Sequence, residues 1–268
     1  MRVAVALVVL AMLGGCGSNS TSDRRLTPVT APPHSALDAS AAQALLARAT
    51  VPLMRGVARY RIVVRVRNGG VVETQTGVAD AADRRWQATL TAGGTQTLRF
   101  IGTTQALYLT SPTWPASMRG RWLRYGPAEL GHAGGGVGPA DLAGGLPEVI
   151  EAMSQLQATG GRQVGSSAFI TASLPGFTAL GLAGARPGLA AARVTPSQIT
   201  ARAPVTIQLG PDGRLQQFQI PPGSLDEVAS GLPEQLRAVN QLVFTTLFDA
   251  SNAPAQIHVP AGKEILPP

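Results

Sequence analysis

Hydrophobic and polar residues alternate most regularly between residues 58 and 125, and segment 60–67 shows the pattern best. Its apolar positions are Tyr60, Ile62, Val64 and Val66. Three of the other positions are arginines, namely Arg61, Arg65 and Arg67. Because successive side chains of a strand point to opposite faces, this segment predicts a strand with one apolar and one basic face. The Asn68-Gly69-Gly70 that follows is typical of a hairpin turn.

The same alternation predicts five more short strands, at residues 71–78, 84–91, 95–101, 106–110 and 119–125. Their main apolar positions are Trp86, Leu90, Leu98, Phe100, Leu107 and Leu109. Gly77 indicates a bulge in the first of these strands. Short strands with one apolar face, joined by short turns, are typical of an antiparallel sheet that faces water on one side.

Two other segments have apolar residues every three to four positions, which predicts helices. Residues 36–49 are alanine-rich, with Asp38 or Ser35 placed to cap a helix and Pro52 and Gly56 placed to end it. After a glycine-rich loop at 126–138, a helical stripe follows. Its members are Leu142, Leu146, Val149, Ile150, Met153 and Leu156. Pro147 makes two short helices an alternative to one.

The C-terminal part of the chain contains segments with the two-residue period of strands and segments with the three-to-four-residue period of helices. It predicts an extended segment at 162–174, a helix or apolar loop at 179–192, strands at 204–209, 214–220, 241–248 and 255–259, and a short helix at 224–237. Pro211-Asp212-Gly213 separates the first two of these strands as a hairpin turn. Val205, Ile207 and Phe244 are apolar strand positions. Helices beside an antiparallel sheet indicate an α+β fold.

The composition indicates an aliphatic interior. Hydrophobic residues make up 44% of the 268, charged residues 14% and aromatic residues 4%. Such an interior suits acyl chains, but an ordinary packed core has the same composition. If the helices sit directly on the sheet, the apolar residues form a core; if the sheet curls and the helices bridge it, they line a cavity. The pattern is compatible with both geometries.

The first sixteen residues predict an exported lipoprotein. Arg2 and a short apolar run precede Leu13-Gly14-Gly15-Cys16, which resembles the lipobox of bacterial lipoproteins. We therefore expect a signal peptide at 1–15, a lipidated cysteine with a flexible tether at 16–35, and one domain at 36–268. Two or three acyl chains such as palmitate on Cys16 are enough for stable anchoring. The expected location is the cell membrane, with the domain facing the periplasm or cell-wall space.

Charge is distributed unevenly along the chain. The net charge is +7, and residues 17–125 carry 14 arginines against 5 acidic residues. A basic half attracts anionic lipid headgroups, although arginine is also simply the commonest outward-facing residue there. Nucleic acid is not expected as a partner, because an exported protein with few aromatic residues lacks both access and stacking platforms.

Catalytic and metal-binding patterns are missing from the sequence. His34, His132 and His258 lack the spacing of a metal pair, and no Gly-x-Ser-x-Gly motif occurs. The run Gly134–Gly138 lacks the lysine of a phosphate-binding loop and predicts a connector. We therefore predict that the protein is not an enzyme and has no metal site and no cofactor.

Several short motifs resemble the LppX and LprG family of envelope lipoproteins, which have the LolA-like fold. They are Gly77-Val-Ala-Asp80, Arg84-Arg-Trp86, Leu107-Tyr-Leu109, Arg121-Trp122, the hairpin at 205–213, and the segment 248–260. The resemblance spans about residues 39–260. It implies a curved antiparallel sheet, an incomplete barrel, with helices on its concave face and a cavity that carries acylated lipids or glycolipids across the envelope.

These observations lead to two functional hypotheses. The first is a lipid-anchored protein that binds an acylated lipid or glycolipid and carries or chaperones it, with a membrane transporter as a further partner. Its predicted ligand-binding residues are Tyr60, Ile62, Val64, Val66, Trp86, Leu90, Leu98, Phe100, Leu107, Leu109, Leu142, Leu146, Ile150, Met153, Val205, Ile207 and Phe244. The alternative is a membrane-anchored interaction or scaffold lipoprotein with a filled core and a basic face that contacts headgroups.

Overall fold

A computed structural model of the chain describes residues 34–126, 146–249 and 254–266. Within these ranges twelve antiparallel strands form a single sheet. In chain order they are β1 (His34–Leu37), β2 (Val57–Val66), β3 (Val71–Asp80), β4 (Arg85–Ala92), β5 (Thr95–Gly102), β6 (Leu107–Thr110), β7 (Leu123–Tyr125), β8 (Gln157–Val164), β9 (Ser167–Pro175), β10 (Arg202–Leu209), β11 (Leu215–Ile220) and β12 (Leu242–Asp249). Their order across the sheet is β1-β8-β9-β10-β11-β12-β2-β3-β4-β5-β6-β7, and the two edges do not pair with each other.

Five α-helices accompany the sheet in the described ranges. They are α1 (Ala39–Arg55), α2 (Leu146–Ser154), α3 (Gly176–Leu182), α4 (Arg186–Ala191) and α5 (Asp226–Ser230). Their apolar residues, such as Leu46 and Leu146, share one hydrophobic core with sheet residues as far apart as Phe100 and Phe218. All five helices therefore pack on the same, concave face. The predicted α+β fold, an open curved antiparallel sheet with helices on its concave face, is confirmed.

The first helix follows the sequence signals in part. Asp38 caps α1, because its Oδ1 accepts a hydrogen bond of 2.7 Å from the backbone N–H of Ala41. Pro52 does not end the helix but lies inside its last turns, where a missing N–H costs only one helical hydrogen bond. Gly56 is the C-terminal cap, and its N–H donates to the carbonyl of Pro52 at 2.9 Å.

Several predicted elements have different bounds in the structure. Residues 34–37, expected in the tether and the first helix, form the edge strand β1, which pairs with β8. The extended segment predicted at 162–174 belongs to two strands, because Gly165 turns the chain with a φ of +60°. Segment 179–192 belongs to two short helices, and the helix expected at 224–237 is α5 followed by a 3-10 helix at Glu234–Gln241.

The strand predicted at 255–259 is absent from the described part of the chain. Residues 254–261 run without regular structure, and Ile257 and Val259 pack against a small cluster that contains Trp122. Trp122 itself lies just outside β7 and pairs with Ile265 in an isolated parallel bridge. The C-terminal segment thus covers apolar residues on the outer side of β5–β7 instead of adding a strand. The predicted domain boundary at residue 15 lies outside the described residues.

Candidate functional site

The concave face brings together most of the residues that the sequence proposed as ligand-binding. Eleven of the seventeen are buried in one hydrophobic core: Tyr60, Ile62, Val64, Phe100, Leu107, Leu109, Leu146, Met153, Val205, Ile207 and Phe244. Four more are partly buried and pack against that core: Trp86, Leu90, Leu98 and Ile150. Alternation along the strands therefore assigned the faces of the sheet correctly. Leu142 lies outside the described residues.

Val66, the remaining proposed residue, is exposed. Along β2 the exposed fraction rises toward the β2–β3 turn, from 4% at Ile62 to 8% at Val64 and 40% at Val66. Leu242 faces Val66 in register, and Leu90 faces Leu98. We call Val66, Leu90, Leu98 and Leu242 the apolar rim, since all four are apolar, lie toward this end of the strands and are incompletely covered.

Polar groups on the concave face were not predicted from the sequence. Glu73 pairs in register with Val64, and Gln75 pairs with Ile62, so both lie on the apolar side of β3. Gln75 is 3% exposed. The hydroxyls of Tyr60 and Thr246 are buried and have no hydrogen-bond partner among the described residues. Their inward position depends on the register of the β2–β3 hairpin, which pairs even-numbered residues of β2 with odd-numbered residues of β3.

Burial changes the acid–base properties of two of these groups. Removal from water disfavours a charged carboxylate, and this raises the pKa of Glu73 above its ordinary value. Burial likewise raises the pKa of the Tyr60 phenol. Tyr60 is therefore neutral at physiological pH, and the concave face favours the neutral form of Glu73.

The convex face carries two grooves. The first, which we call the arginine groove, has a volume of about 260 Å³. Its main lining side chains are Arg59, Thr76, Gln87, Thr89, Arg99 and Trp122. The second measures about 570 Å³ and lies over β8–β11. Its lining includes Arg162, Phe169, Thr171, Gln208, Gln217 and Gln219. Arg59 and Arg99 were not singled out from the sequence, which highlighted Arg61, Arg65 and Arg67 instead.

No catalytic constellation stands out in the described ranges. Within them no group of three or more His, Cys, Asp or Glu residues is placed to hold a metal ion. His34 lies in β1, and the exposed His258 has its Nε2 3.5 Å from the Glu264 carboxylate. His132 and Cys16 lie outside the described residues. Among the described helices, none combines the length and apolar character needed to cross a membrane.

Glu148 and Arg186 link two helices on the concave face. Glu148 lies in the first turn of α2, and its Oε1 is 3.2 Å from Nε of Arg186 in α4. A carboxylate at a helix N-terminus also interacts favourably with the helix dipole. These contacts give Glu148 a structural role.

Among known proteins, the chain is similar to several solved structures. No protein-family model and no curated protein matches it. It is similar to the lipoprotein LppX of Mycobacterium tuberculosis, with 16% identity over 81% of this chain and 99% of that chain, at a TM-score of 0.42. A LolA-superfamily protein of Nitrosomonas europaea matches with 9% identity over 81% and 94% of the two chains, at a TM-score of 0.30. A DUF1329-family protein of Desulfovibrio piger matches with 10% identity over 82% and 92%, at a TM-score of 0.28.

LppX and a LolA-superfamily protein are thus among the solved structures to which this chain is similar. At these identities the likeness is one of fold.

Proposed function

We propose that the protein is a lipid-anchored envelope protein that binds an acylated lipid or glycolipid between the concave face of its sheet and the helices, and chaperones or carries it. The observation that carries this proposal is the concave face itself. It is lined with aliphatic residues from strands and helices alike and is incompletely covered at the apolar rim. In this proposal Cys16 holds the domain at the membrane that supplies or receives the lipid.

The apolar rim is the proposed entrance. Val66 is exposed although it lies on the same side of β2 as the buried Ile62 and Val64. A lipid tail that enters there continues along side chains of the same character toward the core. Each methylene transferred from water contributes about 0.8 kcal/mol. A tail of about ten buried methylenes thus gains roughly 8 kcal/mol, from which the work of parting the helices from the sheet is subtracted.

Polar groups near this path suit the head or ester group of a lipid. A buried hydroxyl without a partner costs about 1–3 kcal/mol. The Tyr60 and Thr246 hydroxyls lie on the concave face, and each can donate to an ester or amide carbonyl. Glu73, with its raised pKa, lies closer to the rim and can donate a hydrogen bond when it is protonated. An acylated lipid with one polar junction fits this arrangement.

Mass spectrometry of the full chain purified from membranes tests the proposal. Under native conditions we expect a mass increment from one bound lipid in addition to the acyl groups on Cys16. Under denaturing conditions the bound lipid is lost and the covalent acyl groups remain. A Cys16→Ser variant removes the covalent component and should still retain the bound lipid. Native spectra without any releasable lipid, in repeated preparations, would contradict the proposal.

The alternative, an anchored interaction protein with a filled core, is favoured by two observations. Eleven of the seventeen proposed ligand-binding residues are buried in one hydrophobic core that strands and helices share. The convex face of β2 presents Arg59, Arg61 and Arg65, none of which forms an ion pair within the described ranges. Such a surface attracts anionic headgroups, and the attraction weakens as salt rises. Salt-sensitive binding of the Cys16→Ser variant to anionic vesicles, together with an interior that retains no lipid, would favour this alternative.

A further inference from the structure

The arginine groove lies on the opposite side of the sheet from the core and is not used by the proposed lipid chaperone. The pairing register explains why its residues converge. Thr76 pairs with Thr89 and Thr89 with Arg99, so these three side chains share one row across β3, β4 and β5. Arg59 lies in the next row, on β2. Since neighbouring strands are about 4.8 Å apart, the side chains of Arg59 and Arg99 lie on either side of the two threonine hydroxyl groups.

Trp122 fixes one of the two arginines. The guanidinium carbon of Arg99 lies 5.6 Å from the centroid of the Trp122 ring, a cation–π contact. The C-terminal segment holds Trp122 in turn through two backbone hydrogen bonds of 2.8 Å. The backbone N–H of Trp122 donates to the carbonyl of Glu264, and the backbone carbonyl of Trp122 accepts from the N–H of Leu266. A guanidinium stacked on a ring keeps its N–H edge available, so Arg99 is pre-organised for a bidentate contact with an anion.

The side chains that line the groove carry positive charge and include no acid. No Asp or Glu lines it, and neither Arg59 nor Arg99 forms an ion pair among the described residues. Asp249 faces Arg59 in register on β12 but is not part of the lining. Two guanidinium groups that share a small groove repel each other, and an anion between them removes that repulsion.

We propose that the arginine groove binds a phosphate-bearing group. Arg59 and Arg99 donate to the phosphate oxygens, and the hydroxyls of Thr76 and Thr89 donate to those that remain. Small-molecule sites usually measure about 300–1,000 Å³. A volume of about 260 Å³ therefore suits a single phosphorylated head. That head belongs either to a phospholipid at the membrane surface or to a free phosphate compound, and the chemistry of recognition is the same.

Calorimetry with the full chain in a neutral maltoside detergent tests the site. Glycerol 3-phosphate is titrated at 0.15 M salt into the wild type and into Arg59→Gln, Arg99→Gln and Arg65→Gln variants. Arg65 is the matched control, an exposed arginine on the same face of β2 that does not line the groove. We expect saturable binding by the wild type, weakened about tenfold or more by Arg59→Gln and by Arg99→Gln. The Arg65→Gln variant should bind like the wild type.

A second arm with vesicles distinguishes the two sources of phosphate. The Cys16→Ser chain is mixed with vesicles of phosphatidylcholine alone and of phosphatidylcholine with phosphatidylglycerol. Binding to the anionic vesicles that Arg59→Gln and Arg99→Gln each reduce severalfold more than Arg65→Gln does assigns the groove to a lipid headgroup. Binding of glycerol 3-phosphate without binding of vesicles assigns it to a free compound. An equal loss in all three variants, or no saturable phosphate binding by the wild type, would overturn the proposal.

These outcomes are independent of lipid binding on the concave face. The variants change the opposite side of the sheet, and releasable lipid is measured separately. Thermal unfolding of each variant shows that it is folded.

Discussion

Tyr60 and Gly77 face each other across the β2–β3 pair, and the Tyr60 ring occupies the space that a side chain at position 77 would need. An ideal Cβ on Gly77 would lie 2.6 Å from both Cζ and the hydroxyl oxygen of Tyr60, and 2.5 Å from the carbonyl oxygen of Gln87. Gly77 therefore allows the ring to lie close to the sheet on its concave face. The bulge predicted at Gly77 is not found; the irregularity in this strand pair falls between Val64 and Arg65.

Gly77→Ala should destabilise the protein. The new methyl group meets a backbone carbonyl and a buried ring, and overpacking of this kind typically costs about 1–3 kcal/mol. For a chain of this size the expected fall in Tm is roughly 2–10 °C, measured by circular dichroism. Gly70→Ala is the matched control, because a Cβ there has no neighbour within 4 Å. Equal Tm values for both variants would show that Tyr60 moves aside without cost.

Glu73→Gln should stabilise the protein at neutral pH. Burial raises the pKa of Glu73, so the folded state resists ionisation and the wild type loses stability as pH rises from the ordinary glutamate pKa through the raised one. Wild type and variant should therefore unfold at similar temperatures at pH 4, and the variant at the higher temperature at pH 8. Glu264→Gln is the contrasting control, because a hydrogen bond from Ala261 lowers the pKa of that exposed carboxyl. A stabilisation by Glu73→Gln that is the same at both pH values would contradict this explanation.

Val66→Asp should reduce lipid retention severalfold, because it places a charge at the proposed entrance. Leu247→Asp is a close control: both residues are 40% exposed, and Leu247 faces Arg61 in register on the basic face of the sheet. Releasable lipid per protein, quantified by mass spectrometry, is the measurement. Comparable Tm values for the two variants exclude unfolding as the cause. Equal retention by both would show that Val66 is not at an entrance.

Cys16→Ala should release the protein from the membrane. Without the thiol no diacylglycerol can be attached, and the anchoring predicted from Leu13-Gly14-Gly15-Cys16 is lost. Cells grown with labelled palmitate should incorporate it into the wild type and not into the variant, and fractionation should move the variant out of the membrane pellet. Label incorporation by Cys16→Ala would contradict the lipobox assignment.

The sequence predicted the sheet well where side chains alternate strictly. β2 to β6 lie where the alternation of Tyr60, Ile62 and Val64 and of the strands that follow places them. The strand bounds in shorter or glycine-containing segments were predicted less well. The turn at Gly165 separates two strands within the segment 162–174, which the sequence predicted as one extended element. Segment 255–259 alternates like a strand, although it packs on Trp122 instead.

The sequence predicted the apolar residues of the candidate site but not its polar and charged residues. Composition and alternation identify which residues are apolar and share a face, and Leu90 and Leu98 were recognised on that basis. The inward position of Glu73 follows from its pairing with Val64, which depends on the exact register of a hairpin. The convergence of Arg59, Arg99 and Trp122 depends on three strands and a C-terminal segment distant in sequence, which no local pattern contains.

Photocrosslinking shows whether an acyl chain binds on the concave face of the sheet, as we propose. The full chain is incubated with a phospholipid that carries a diazirine near the end of one acyl chain, irradiated, and mapped by peptide mass spectrometry. We expect adducts on concave-face residues such as Leu90, Leu98 and Met153 that excess unlabelled lipid suppresses. Adducts confined to convex-face residues such as Phe169, or no adducts that unlabelled lipid suppresses, would contradict it.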